Sequence, residues 1–192
     1  MTDSKPDETV RTTIVAPQPS AGVVSPPDHR TERNRYRYRF DPVFRIRTNS
    51  RHTMEREEVI HARGHENVRA EHASTFEVTT DDYLTPAGDC ILAIEADRAP
   101  ADFDPDFVAA CQNADATITV ELETAGHVDS VTGRGDPALE FTNERSAVGR
   151  TSEYVDDRTM LLEADFAAEG FDRDLVGALT EGAEVTVTFR VE

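Results

Sequence analysis

The chain has 192 residues, 38 acidic and 20 basic, for a net charge of -18. That length suits one or two domains with a buried core, and no apolar run reaches the roughly 18 residues that a bilayer span needs. Two cysteines, Cys90 and Cys111, are too few for a disulfide framework and read as free thiols of a reducing compartment.

Taken in chain order, residues 1–30 are rich in Pro, Ser, Thr and Asp without hydrophobic period, the mark of a disordered segment. They also lack the basic-then-apolar layout of a secretory leader. Residues 30–51 carry Arg30, Arg33, Arg35, Arg37, Arg39, Arg45, Arg47 and Arg51, interleaved with Tyr36, Tyr38 and Phe40. This is the composition of a basic arm for nucleic acid, with aromatics to stack on bases. The charge then inverts: residues 1–53 hold 10 basic and 6 acidic residues, residues 54–192 hold 10 and 32. Across so sharp a break, residues 1–53 read as an extension and Met54 as an alternative start. Only Lys5 is lysine. Acidity with arginine in place of lysine fits molar salt, where the Debye length falls to about 3 Å and an acidic coat keeps the surface hydrated. We therefore expect a cytoplasmic protein of a halophile, away from membranes.

From about residue 57 the chain repeats itself. At an offset of 71, Arg63-Gly64 falls on Arg134-Gly135, Thr80 on Thr151 and Tyr83 on Tyr154. Three residues fewer near Pro86 bring Glu95-Ala96-Asp97 onto Glu163-Ala164-Asp165. Between 91 and 108, eight of 18 positions are identical, too many for chance. Residues 54–125 and 126–192 are thus read as two copies of one unit, packed as one body because about 65 residues bury a marginal core alone.

Each copy predicts the order β-β-β-α-β. A strand at about 57–63 (128–134 in the second copy) leads to a Gly turn. A second spans about 69–79 (140–150), a third 90–96 (159–164). Asp104 is a helix N-cap with Pro105 in the first turn, and Phe107, Val108 and Cys111 on one face. Asp172 caps the second helix, with Leu175, Val176 and Leu179 inward. The last strands alternate cleanly, Ile118, Val120 and Leu122 in one, Val185, Val187, Phe189 and Val191 in the other, which gives one buried face. The expected fold is mainly β, closed or two-layered with pseudo-twofold symmetry and two short helices.

The stretches Gly64-His65-Glu66-Asn67-Val68, then His72, Thr75, Glu77, then Leu84-Thr85-Pro86-Ala87-Gly88-Asp89-Cys90-Ile91, with Arg158-Thr159 in the second copy, resemble the archaeal family called domain of unknown function 371. The resemblance spans about 57–192 and implies an archaeal source, a mainly-β fold and no established activity. The second copy departs from it: Asp136 stands where a histidine is expected. A looser resemblance, carried by the Gly88-Asp89 turn, is to duplicated small barrels of the cradle type.

Side chains with chemistry gather in the first copy as His61, His65, His72, Asp89 and Cys90, against Thr132, Asp136, Asn143, Asp157 and Arg158 in the second. We expect a non-catalytic binding module, with a small molecule or protein held between the copies by His65, Asn67, His72, Asp89 and Cys90. Two alternatives stand beside it. One is a metal-dependent enzyme with a divalent ion on His65, His72, Asp89 and Cys90 and Glu77 or Asp89 as base. The other is a nucleic-acid accessory protein, opposed by the acidity of the folded region. The spacing His65-x6-His72 matches no standard metal motif. His72, on a strand face with Phe76 and Val78, also reads as a core histidine, and Cys90 as a small buried hydrophobe. Glu95/Asp97 and Glu163/Asp165 read as turn and capping groups rather than a cation site.

Overall fold

A computed structural model describes residues 56–192; the basic arm and the Met54 start lie outside the described residues. The first copy contributes β1 (Arg56–Arg63), β2 (Thr75–Thr79), β3 (Ile91–Ala93), α1 (Pro105–Cys111) and β4 (Thr117–Thr124). The second contributes β5 (His127–Arg134), β6 (Ser146–Arg150), β7 (Thr159–Leu161), α2 (Arg173–Thr180) and β8 (Glu184–Val191). A short 3-10 turn precedes each helix, at Pro100–Asp102 and Ala168–Gly170.

The strands form two four-stranded sheets, one antiparallel in the order β1-β8-β4-β5, one mixed in the order β3-β2-β6-β7. Neither sheet belongs to one copy. β8 lies between β1 and β4, and β2 pairs antiparallel with β6, with Glu77 opposite Val148 at the centre. The alternating apolar residues of β4 and β8 face inward: Ile118, Val120, Leu122, Val187 and Phe189 are all at most 1 % exposed. They pack with Phe76, Phe107 and Phe171 into one core.

The expected helix caps form as read. Asp104 accepts the Asp106 N–H, and Asp172 accepts those of Asp174 and Leu175, satisfying donors that a helix start leaves open. Gly64 and Gly135 hold equivalent places against the helix of the opposite copy. A Cβ on Gly64 would stand 1.9 Å from the Leu179 carbonyl oxygen, and one on Gly135 2.2 Å from that of Cys111.

Two expectations change. The barrel does not close: β1 meets the end of β3 only through the Arg63–Ile94 bridge, and β5 that of β7 only through Arg134–Leu162. β3 and β7 are three residues long, too short to carry a ladder around the corner, so the fold is two-layered and the cradle-type barrel is not formed. The second strand of each copy is also shorter than its pattern, starting at Thr75 and Ser146. Ala70 and Phe141, at equivalent places, take positive φ angles of 50° and 52°, a left-handed conformation that ends a strand.

Candidate functional site

The outward face of the mixed sheet carries a seam where the copies meet. On β2 the inward residues Phe76 and Val78 are buried, so Thr75 and Glu77 point outward. On β6, Ser146 stands across the ladder from Thr79, and its Oγ lies 3.4 Å from the Thr79 hydroxyl. Glu77, Asn143, Arg145, Ser146 and Arg158 line a cleft of about 190 Å³ along this seam. The first copy thus gives a carboxylate, the second two guanidiniums, a hydroxyl and an amide.

Around Glu77 the first copy builds a polar chain. The Cys90 thiol donates to Glu77 Oε2 at 3.7 Å, the Glu77 N–H donates to the Cys90 carbonyl, and the Thr75 hydroxyl lies 2.8 Å from His72 Nδ1. Burial, and then the charges of Glu77 and Asp89, push the Cys90 thiol up to about 11, against a hydrogen bond from Thr75. A thiol held so high stays protonated, unlike an activated nucleophile. The second bank is held by Asp156. Burial alone would raise this carboxyl, but hydrogen bonds from Arg158, Arg150 and Thr159 outweigh it and bring it down to about 2. Arg150, whose side chain is only 10 % exposed, donates from Nη2 to Asp156 at 2.6 Å and from Nε to Thr159 at 2.9 Å. Its guanidinium also lies 4.9 Å from the centre of the Tyr154 ring, within cation–π range.

The residues singled out from the sequence take other work. His65 accepts the Asn67 N–H at Nδ1, and His72 accepts the Thr75 N–H, each at 3.1 Å. In the second copy Asp136 accepts the Ala138 N–H, and Asn143 accepts those of Arg145 and Ser146. The two imidazoles are therefore turn caps, doing what Asp and Asn do at the equivalent places. His72 precedes β2 rather than sitting on its inward face. Asn67 donates to the Leu84 carbonyl at 2.8 Å and the Glu71 N–H to that of Asp89 at 3.1 Å, which clamps the 64–74 loop to the 84–90 loop. His65, His72, Asp89 and Cys90 do not come together as a metal-binding group: among the described residues no three His, Cys, Asp or Glu side chains form one. Glu95 pairs with Arg63 at 2.5 Å, and Asp97 accepts the His61 N–H at 2.8 Å, so these carboxylates brace the end of β1.

Sequence reasoning named Asn143 only as the counterpart of His72 and missed Arg145 and Ser146. Their only signal is the register that sets β6 against β2, a contact across some 70 residues of chain. A second, wider cleft of about 580 Å³ lies at the β4–β5 turn, lined by His61, Arg63, Glu95, Glu123, Glu184 and Thr186 among others. No helix among the described residues is long and apolar enough to cross a membrane.

Two interleaved copies sharing two sheets, with an unlike-charged seam between them, define the class: a duplicated two-layer β protein. Residues 60–192 match the family model described as Domain of unknown function (DUF371), and the chain belongs to that family. It is similar to an uncharacterized protein of Methanocaldococcus jannaschii, 40% identical over 127 residues, which cover 66% of this chain and 93% of that one.

Proposed function

We propose that the protein is a non-catalytic binding module of a salt-rich cytoplasm, with its ligand in the seam cleft and Glu77 as its first-copy wall. The observation that carries this is the facing of Glu77 by Arg145 and Arg158 around one cleft built from both copies. Cys90 supports Glu77 through its thiol, and His65, Asn67, His72 and Asp89 hold the neighbouring loops. Of the residues that carry the family resemblance, Glu77 and Arg158 line the seam cleft, and Cys90 touches Glu77. The high thiol favours binding over covalent chemistry, and the two imidazoles spend Nδ1 on the backbone.

Native mass spectrometry of the chain from its own cells is the test. A co-purified small molecule that is lost in Glu77→Gln and kept in His61→Ala supports the reading. A molecule lost in His61→Ala and kept in Glu77→Gln moves the site to the wider cleft and overturns it.

A further inference from the structure

We propose that the seam cleft takes a small zwitterion, a molecule with a carboxylate and a protonated amine a few bonds apart, as in an α-amino acid. This rests on the binding-module reading and adds the class of ligand.

The argument begins with unused hydrogen-bonding capacity. Arg145 gives one nitrogen, Nη2, to Asp81 at 2.5 Å and has a side chain 63% exposed. Arg158 gives its Nη2 to Asp156 at 2.9 Å and is 40% exposed. A guanidinium carries five N–H donors, so each fork keeps donors for a carboxylate. Glu77 spends Oε2 on the Cys90 thiol, and among the described residues its Oε1 has no hydrogen-bond partner. Asn143 is already committed: its amide donates to Asp157 and its oxygen takes two backbone N–H groups.

Charge then decides the class. A simple anion between the arginines would face Glu77, and a simple cation at Glu77 would face the arginines. A zwitterion satisfies both ends and leaves neither like-charged pair unrelieved. Size is consistent with this: a cleft of about 190 Å³ is small and suits an amino acid. Molar salt sharpens the case. With screening within about 3 Å, only groups in contact keep their attraction, so two short ion pairs count for more than any long-range field.

The test is isothermal titration of the full chain in molar KCl with glycine, alanine and serine, against acetate and methylammonium as half-ligands. At least one amino acid should bind about tenfold tighter than either half-ligand. The gain should vanish in both Glu77→Gln and Arg158→Gln and persist in His61→Ala. Arg145→Gln serves as a second arginine variant on an exposed side chain, should Arg158→Gln unfold. Acetate binding as tightly as the amino acids, with dependence on the arginines alone, ends the zwitterion proposal and leaves the binding module standing. Absence of binding by every probe ends the zwitterion proposal too. If no co-purified molecule depends on Glu77 either, the binding module falls with it.

Discussion

The two copies share a backbone and differ in how they hold it. In the first, buried Glu58 takes Arg98 and the Asp104 N–H, each at 2.5 Å, and imidazoles cap the turns. In the second, Asp129 and Phe166 stand at the places of Glu58 and Arg98, and Asp136 and Asn143 are the caps. The second copy instead buries Arg150 on Asp156, where the first has Thr79 at the place of Arg150. Among the described residues each copy thus has one ion-pairing residue that is itself buried, Glu58 in the first and Arg150 in the second, at different places. What is shared is the position of each backbone need, an open N–H or a close helix approach; the side chain that meets it is free to change. The seam is the place where that freedom leaves opposite charges facing each other.

The comparison breaks most sharply at the ion pairs. Removing one partner of a buried pair strands the other, at a cost of about 3–5 kcal/mol. Arg150→Ala should therefore lose about 3 kcal/mol in urea unfolding at fixed molar salt. Arg98→Ala should lose at least as much, since it leaves Glu58, only 6% exposed, with the Asp104 N–H alone, whereas Asp156, 20% exposed, keeps Arg158 and Thr159. Acid gives a second view of the same pair. Asp156 sits at about 2, below its ordinary 3.8, so its contribution is complete above about pH 4 and is lost as pH falls through about 2. That amounts to about 2 kcal/mol. In Arg150→Ala this acid-dependent loss should shrink. An equal loss in variant and parent would mean that Arg158 and Thr159 alone hold the carboxylate down.

At the turns the copies should be interchangeable. His72→Asn copies the cap of the second copy and should keep nearly all stability, whereas His72→Ala should lose about 1 kcal/mol, the usual worth of a side-chain cap. The same denaturation measurement decides it. A loss in His72→Asn as large as in His72→Ala would show that the imidazole does something besides capping.

Much of the fold was legible because its signals are local. Period-two alternation marked β4 and β8, and Asp104 and Asp172 marked the helix starts. The second strand was overextended for a physical reason. Val68, Ala70, Phe76 and Val78 are all buried and keep the parity of a strand, but left-handed Ala70 breaks the run in a way that alanine does not announce. The site was legible by halves. Glu77 and Arg158 stood out by motif, while Arg145 and Ser146 join them only through sheet register. The histidines misled because a residue type suited to metals was meeting a backbone need.

The smallest effect belongs to the one turn that the duplication does not repeat, the junction between the copies. Thr124 and His127 close the β4–β5 ladder, so Ala125 and Gly126 form a two-residue hairpin loop. Their φ angles are 48° and 86°, and a type I′ turn is the two-residue form that requires both to be positive. Glycine meets this without strain. Alanine does not, because its Cβ crowds the following carbonyl in the left-handed region. Asparagine tolerates that region better and is the common partner of glycine in this turn. Ala125→Asn should therefore stabilise the protein by about 0.5 kcal/mol, read as a rise in urea midpoint at unchanged slope. An unchanged midpoint would mean that the packing of β8 against β4, rather than the loop, sets the hairpin and carries the strain at no net cost.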